Sequence, residues 1–360
     1  MSDPFPSVNI TLNAVCTAYA VNPKKLGSLA GKIVYNSDGT SITVPSSGIN
    51  LGLFRGKYAT PRSSPAGIGK WYGFASSSDG TKLVTGNYQN GYIYTSIDSG
   101  VNWTQRTGPG TGAWFGFASS SDGTKLVTGN QAGGYIYTST DSGESWIERR
   151  SAGQGKWRGF ASSSDGTKLV TGDPFGYIYT SLNSGETWTQ RPEPGIGEWY
   201  GFASSSDGTK LVTAKSGGYI YTSTNSGETW QPITGPGTGV WISFGSSSDG
   251  TKLVTGKANG YIYTSVDSGA NWEPRTGPGT GNWQGFASSS DGTKLVTGSR
   301  DGYIYTSTTS GASWTQITGQ GVGAWQGFAS SSDGTKLVTG NDGGYIYASA
   351  NSGASWIPSV

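Results

Sequence analysis

The side chains able to do chemistry in this 360-residue chain are aspartate, glutamate, lysine, arginine and tyrosine, because histidine is absent and cysteine occurs once, as Cys16. Without histidine there is no imidazole general base, no Ser-His-Asp triad and no His-ligated metal. A single thiol excludes an intrachain disulfide and a thiolate zinc site. Many of the acidic and basic groups are paired by spacing. Seven lysines, from Lys82 to Lys336, each follow an aspartate by three residues: Asp79, Asp122, Asp165, Asp207, Asp249, Asp291 and Asp333. A ring of seven like charges would bind an anion. With a carboxylate in the same turn, a locally neutral, solvated rim is the expected reading. Asp173, Asp301 and Asp342 suggest calcium, yet no Asp-x-Asp-x-Asp-Gly loop gathers their oxygens on one ion. No catalytic constellation, no metal site and no cofactor is expected.

Composition narrows the partners. Charged residues make up 13% of the chain and the formal net charge is +2, which argues against a nucleic-acid binder. No apolar run reaches the roughly 18 residues that would span a membrane, so membrane insertion is not expected. The opening MSDPFPSVNITLNA has neither the basic nor the apolar region of a secretion signal.

The elements that must position these groups follow from an internal repeat. The decapeptide Ser-Ser-Ser-Asp-Gly-Thr-Lys-Leu-Val-Thr recurs seven times unchanged, every 42 or 43 residues. A tryptophan precedes each aspartate by eight residues: Trp71, Trp114, Trp157, Trp199, Trp241, Trp283 and Trp325. A second set follows at Trp103, Trp146, Trp188, Trp230, Trp272, Trp314 and Trp356, which accounts for all 14 tryptophans. Each unit reads as four short strands. The first is like Trp114–Ser120; an Asp-Gly tight turn leads to Thr-Lys-Leu-Val-Thr. Tyr-Ile-Tyr-Thr-Ser is the third strand, and the fourth begins near the second tryptophan. Gly/Pro-rich connectors such as Gly108–Gly112 join the units, and a helical period is nowhere visible. Four strands per unit and seven units predict an all-β fold, a seven-bladed β-propeller over residues 66–360. The first tryptophans are expected to pack between blades, with stacking on sugar rings as the alternative.

Residues 1–65 lack tryptophan but are β-like, with Val8–Leu12, Lys32–Tyr35 and Ile42–Val44 as candidate strands. Tyr35–Thr40 echoes the repeat turn. The segment is read as a small β unit that anchors the propeller to a protein partner in a larger assembly; an eighth, degenerate blade or a closing strand is the alternative.

In a blade the 1–2 and 3–4 turns share one face, and the 2–3 and 4–1 connections share the other. The first face is held constant by repetition and the second varies. The variable positions include the residue after each first tryptophan, namely Tyr72, Phe115, Arg158, Tyr200, Ile242, Gln284 and Gln326. In the 2–3 loops they include Tyr88, Phe175, Lys215, Arg300, Asp301 and Asp342. Loops on a rigid scaffold are where binding resides. Tyr72, Tyr88, Arg158, Phe175, Tyr200, Lys215, Arg300, Asp301 and Asp342 are therefore the candidate ligand residues.

The segment Ser139-Thr140-Asp141-Ser142-Gly143-Glu144-Ser145-Trp146 fits the pattern Ser-x-Asp-x-Gly-x-x-Trp, which recurs around Asp98 and Asp267; Asn183, Asn225, Thr309 and Asn351 replace the aspartate elsewhere. The chain thus resembles the Asp-box (bacterial neuraminidase) repeat propellers over residues 66–360. That family includes sialidases, sortilin-type receptors and photosystem II assembly factors. The resemblance implies a structural turn for the box, so that Asp98, Asp141, Asp267 and the second tryptophans are architectural. A sialidase would need an arginine cluster, a Tyr/Glu nucleophile pair and an acid, and arginines here are scattered. The expectation is a non-enzymatic module for recognition or display. A virion or appendage component outside the cell, binding a glycan or protein, fits the low charge and the missing secretion signal. Two alternatives are an assembly factor in the cytoplasm, with a basic patch from Arg149, Arg150, Arg158 and Arg191, and a multivalent lectin.

Overall fold

The computed structural model describes residues 33–35, 41–43 and 67–359. Contacts divide the chain into two units, residues 1–60 and 61–360. In the first, Ile33–Tyr35 pairs antiparallel with Ser41–Thr43, placing Val34 opposite Ile42. These are two of the three strands expected there; Val8–Leu12, and the anchoring role of residues 1–65 as a whole, lie outside the described residues.

The second unit is a seven-bladed propeller. Each blade is a four-stranded antiparallel sheet whose strands run in chain order. Blade 1 comprises Trp71–Ser76, Leu83–Asn87, Ile93–Ser96 and Thr104–Arg106, and blades 2 to 7 repeat the plan. The described residues contain no helix.

The Asp-Gly pair does not make a two-residue turn. It sits inside a wider loop, in which Ser77 N–H donates to Lys82 O at 2.9 Å and Gly80 N–H to Ser77 O at 2.9 Å. Gly80 adopts φ +67°, which a side chain would strain. Asp79 accepts from Ser77 Oγ at 2.6 Å, Thr81 N at 3.0 Å and Thr81 Oγ1 at 2.8 Å. The carboxylate uses up Thr81, so the second strand starts at Leu83, two residues later than its pattern suggests. All seven such aspartates are held down to about 2, chiefly by the serine hydroxyl two residues earlier, then by the threonine N–H and hydroxyl. A depressed carboxyl stabilises the fold above its unfolded value near 3.9 and loses that contribution as pH falls toward 2. The melting temperature is therefore expected to be flat from neutral pH to about 5 and to fall steeply between about 4 and 2. Carboxyl titration followed by NMR would overturn this assignment if these groups ionise near 4.

The 3–4 turn requires an acceptor and not a charge. Ser96 Oγ donates to Asp98 Oδ1 at 2.8 Å, and that oxygen accepts Asn102 N–H at 2.8 Å. Asn183 Oδ1 accepts Thr187 N–H at 3.0 Å, and Thr309 Oγ1 accepts Ser313 N–H at 2.9 Å. Three side-chain types serve the same bond, which explains why the aspartate is dispensable in four units.

The core lies between blades. Ala75, Val84 and Ile93 of blade 1 receive Trp114, Phe117 and Leu126 of blade 2, and the other seams follow this plan. The first tryptophans are at most 1% exposed, so they pack between blades as expected, out of reach of a sugar. Among the second set, Trp103, Trp188, Trp230 and Trp356 are buried, and Trp146, Trp272 and Trp314 are half-buried. Six of the first tryptophans donate Nε1–H to a glycine carbonyl in the preceding blade's 2–3 loop, as Trp114 does to Gly91 at 2.8 Å. Trp241 does not. It packs against Ala214, where the other units have glycine, and a Cβ at those glycines would come within 2.4–2.6 Å of the facing tryptophan. The unit with the extra methyl is thus the one whose first tryptophan lacks this bond.

The ring closes without strand exchange. Ser78 N–H donates to Ser121 O, and the same bond passes from blade to blade until Ser332 N–H returns to Ser78 O, all seven at 2.6–2.8 Å. A Gly69–Gly344 bridge seals blade 7 to blade 1 as Gly91–Gly112 seals blade 1 to blade 2. Among the described residues no eighth blade enters the ring. Five of the seven lysines reach forward rather than back: Lys168, Lys210, Lys252, Lys294 and Lys336 donate Nζ–H to the carbonyl of the next blade's turn aspartate at 2.8–2.9 Å. The lysine–aspartate spacing thus describes a seam between blades and not a pair within one turn.

Candidate functional site

The first strands surround the axis of the ring, and a bulge in them builds the site. In blade 1 Trp71 pairs with Asn87 and Phe74 with Thr85, so Tyr72 and Gly73 together face Gly86 alone. The extra residue lets Trp71 and Phe74, three apart, enter the same seam. It also turns Tyr72 toward the axis. Thr85 Oγ1 donates to the bulged Gly73 carbonyl at 2.8 Å, which keeps the irregular backbone satisfied. The glycine is required by proximity: a Cβ at Gly73, Gly116, Gly159, Gly201, Gly285 or Gly327 would lie 2.0–2.7 Å from a carbonyl oxygen of the next blade.

The residue before each of these positions therefore lines a mouth on the variable face. Tyr72, Phe115, Arg158, Tyr200, Ile242, Gln284 and Gln326, with Tyr88, Val240, Asn282 and Arg300, surround a cavity of about 360 Å³. Below it a channel of about 210 Å³ carries the ring of seven phenylalanines, Phe74 to Phe328.

One half of the mouth is a continuous aromatic wall. Tyr88 meets Tyr72 edge-on at 4.9 Å, and Tyr72 stacks on Phe115 at 5.2 Å. The Arg158 guanidinium lies 4.8 Å from the Phe115 centroid and 4.3 Å from that of Tyr200, filling the space between them. Tyr200 OH donates to Glu198 Oε2 at 2.9 Å. Tyr72 OH donates to Asp342 Oδ2 at 3.0 Å, and Arg300 lies 3.9 Å from the same oxygen. Burial, followed by this carboxylate, pushes the Tyr72 phenol up to about 12, so it stays a neutral donor. The other half is amide-rich, with Gln284 Nε2 donating to Asn282 Oδ1 at 2.7 Å. Two donors have no hydrogen-bond partner: Arg158 Nε and Gln326 Nε2, the latter on a side chain 4% exposed.

Of the nine candidates, Tyr72, Tyr88, Arg158, Tyr200 and Arg300 line the mouth, and Asp342 is bonded to two of them. Three stand apart. Phe175 is 66% exposed with Lys156 above its ring. Lys215 Nζ donates to Ile196 O at 2.8 Å in the adjoining connector. Asp301 is exposed in a turn at φ +61°. Phe115, Ile242, Gln284 and Gln326 join the wall as members of the variable set that sequence reasoning had left out of its site. Val240 and Asn282 were missed, although the residue before each first tryptophan also varies between units.

The four arginines of the supposed basic patch separate. Arg149 and Arg191 donate Nε–H to Thr138 and Thr180 Oγ1 at 2.8 and 2.7 Å on the outer strands, and Arg150 pairs with Glu148 at 2.7 Å. Only Arg158 belongs to the mouth. Among the described residues no group of three or more acidic or thiol side chains could hold a metal ion.

No family model and no curated protein matches the chain. Solved structures share its architecture. A structure described as YCF48 bound to D1 peptide is similar at 17% identity, with a TM-score of 0.63 over 80% of this chain and 95% of the other. YCF48 from Cyanidioschyzon merolae is similar at 12% identity, with a TM-score of 0.62 over 80% of this chain and 97% of the other. The β-propeller domain of Myceliophteria thermophila Cps50 (Swd1) is also 12% identical, with a TM-score of 0.62 over 78% and 96%. At these identities the likeness is one of fold: an all-β propeller.

Proposed function

We propose that this chain is a non-enzymatic propeller that recognises a protein partner at the mouth of its central channel. The observation that carries the reading is convergence: the residue after the first tryptophan differs among the blades, and all seven copies meet in one cavity of about 360 Å³. The ring brings these seven equivalent positions together, and their unlike side chains give the mouth an aromatic wall and an amide wall. Such a mixture suits a peptide, whose side chains are apolar and whose backbone offers carbonyls and N–H groups. The likeness to a propeller structure bound to a peptide supports this ligand class. It favours the assembly-factor alternative over display on a virion, and neither virion display nor glycan binding draws support from the similar structures.

The test is a random dodecapeptide display selection on the whole protein. Enriched peptides are expected to lose at least tenfold in affinity with Phe115→Ala or Tyr200→Ala, since truncating a central aromatic anchor costs about 2 kcal/mol. Leu182→Ser on the opposite face should leave binding unchanged. Failure to enrich any peptide, or enrichment indifferent to the mouth, overturns the proposal, and specific signal on a glycan array would restore the lectin reading. Location is a separate proposal: the Gly-, Ser-, Thr- and Tyr-rich surface suits exposure outside the cell, where the chain would be a recognition module and not a cytoplasmic assembly factor, and fractionation finding the protein only in cytosol would decide for the latter.

A further inference from the structure

The geometry of the mouth points to the chemistry of its partner, on the assumption that the mouth binds protein: we infer that the partner segment presents a carboxylate, and that Arg158 receives it. Arginine is a costly residue to hold between two rings at the axis of a propeller. A guanidinium has five N–H donors in a fixed plane and no acceptor capacity. Here it lies 4.8 and 4.3 Å from the ring centroids of Phe115 and Tyr200, within hydrogen-bonding reach of the Tyr200 hydroxyl, and its N–H donors lie along the edge of its plane. The Nε–H on that edge has no partner. No carboxylate forms an ion pair with Arg158 among the described residues, whereas Arg150, Arg275 and Arg300 each have one. Glu198, the nearby acid, is occupied by the Tyr200 hydroxyl. A partly desolvated cation with an unpartnered Nε–H and no ion pair calls for an anion with two oxygens in one plane, which is the geometry of a carboxylate.

A second observation, on the other wall, extends the argument. Gln326 is 4% exposed and its Nε2 is likewise without a partner, although it lines both the mouth and the channel below it. A buried donor left without an acceptor is costly, and of the unpartnered buried atoms these two belong to residues lining the mouth. An incoming segment that reaches both walls would supply acceptors to both donors. A peptide segment meets this need: its carboxylate lies on Arg158, and a backbone carbonyl accepts from Gln326. Tyr72 cannot serve as the anion's donor, because its hydroxyl is already given to Asp342. The other mouth cation, Arg300, already faces the same carboxylate. Arg158 is thus the mouth's cation without a counter-ion, and the positive charge of the mouth is concentrated there.

The carboxylate has two sources, the terminus of a chain and an acidic side chain within it, and both are distinguished by the same experiment. Octapeptide arrays of Gly, Ser, Leu and Tyr composition are prepared in three matched forms: with a free C-terminal carboxylate, with a C-terminal amide, and with a C-terminal amide plus one central glutamate. Binding of the labelled full-length protein is then read by fluorescence. One of the two acidic forms is expected to bind at least tenfold more tightly than the neutral amide. Preference for the free terminus identifies a C-terminal tail; preference for the glutamate form identifies an internal acidic residue. Arg158→Gln should reduce the preference to about one, and Arg158→Lys should restore part of it, since lysine keeps the charge and loses the stacked fork. Both variants are checked for an unchanged melting temperature. Equal binding of the neutral and acidic forms, or a preference that survives Arg158→Gln, overturns the carboxylate inference while leaving protein recognition intact. If none of the three forms binds, the inference falls, and the dodecapeptide selection reports separately on the wider proposal.

Discussion

Trp114→Ala is expected to lower the unfolding free energy by about 3–5 kcal/mol, the range for deleting a fully buried tryptophan. Its ring is 0% exposed and lies edge-on to Tyr137 at 5.6 Å. Its Nε1–H donates to the Gly91 carbonyl at 2.8 Å, which also accepts Gly112 N–H at 2.9 Å, so truncation also removes one of the two bonds at the rim of the seam. The site has little freedom to collapse, because the Cα of Gly86 already sits so near that a Cβ there would meet Trp114 Cβ at 2.4 Å. Trp146→Ala is the control. That ring is half-buried and its Nε1–H bonds within its own turn, to Gly143 at 3.1 Å. Its loss should cost about half as much. Urea denaturation of the two variants checks the difference; equal costs would mean that the seams between blades are not where the stability resides.

Gly116→Val is expected to cost about 3 kcal/mol or more, at the upper end of overpacking effects. A Cβ at Gly116 would stand 2.0 Å from the Arg158 carbonyl oxygen and 3.2 Å from Gly159 Cα. Those are backbone atoms next to the axis, and no side-chain rotation relieves the clash. Blade 5 carries Ser243 at the equivalent position, so the ring accommodates one hydroxymethyl, and the two methyls of valine are the discriminating change. The displaced segment bears Arg158, so peptide binding should fall together with stability. Gly108→Ala, with nothing within 4 Å of its Cβ, should stay within about 0.5 kcal/mol of the native protein. Differential scanning calorimetry on the pair measures the contrast, and a neutral Gly116→Val would show that the first strands are not in contact at the axis.

Strand number, blade number and the packing of the first tryptophans were legible because they are local and repeated. A strand needs only alternation and turn residues nearby, and seven copies of one unit average out the ambiguity of any single copy. The turns were less legible. Asp79 looked like half of a two-residue hairpin, but its carboxylate binds Thr81 and widens the loop, an effect of side-chain chemistry that no alternation pattern registers. Lys336 looked paired to Asp333 by spacing, yet its ammonium lies on the Asp79 carbonyl, 257 residues away in sequence and adjacent only once the ring has closed.

The site shows the same division. Variation among repeats identified Tyr72, Arg158 and Tyr200, because repetition itself supplied seven internal comparisons. It also brought in Phe175, Lys215 and Asp301, since a variable loop residue looks alike whether it points to the axis or away from it. The bulge at Tyr72–Gly73 is the feature that sorts them. It arises because Trp71 and Phe74 both enter one seam, a demand made by the neighbouring blade and not by the strand's own pattern. Residue order thus determined the blades, the ring and which face would vary. The assembled ring alone decided that one residue from each blade would converge at the axis, and that Arg158 would stand there between two aromatic rings without an anion. Those two results depend on contacts between blades, and such contacts exist only once the blades have packed against one another.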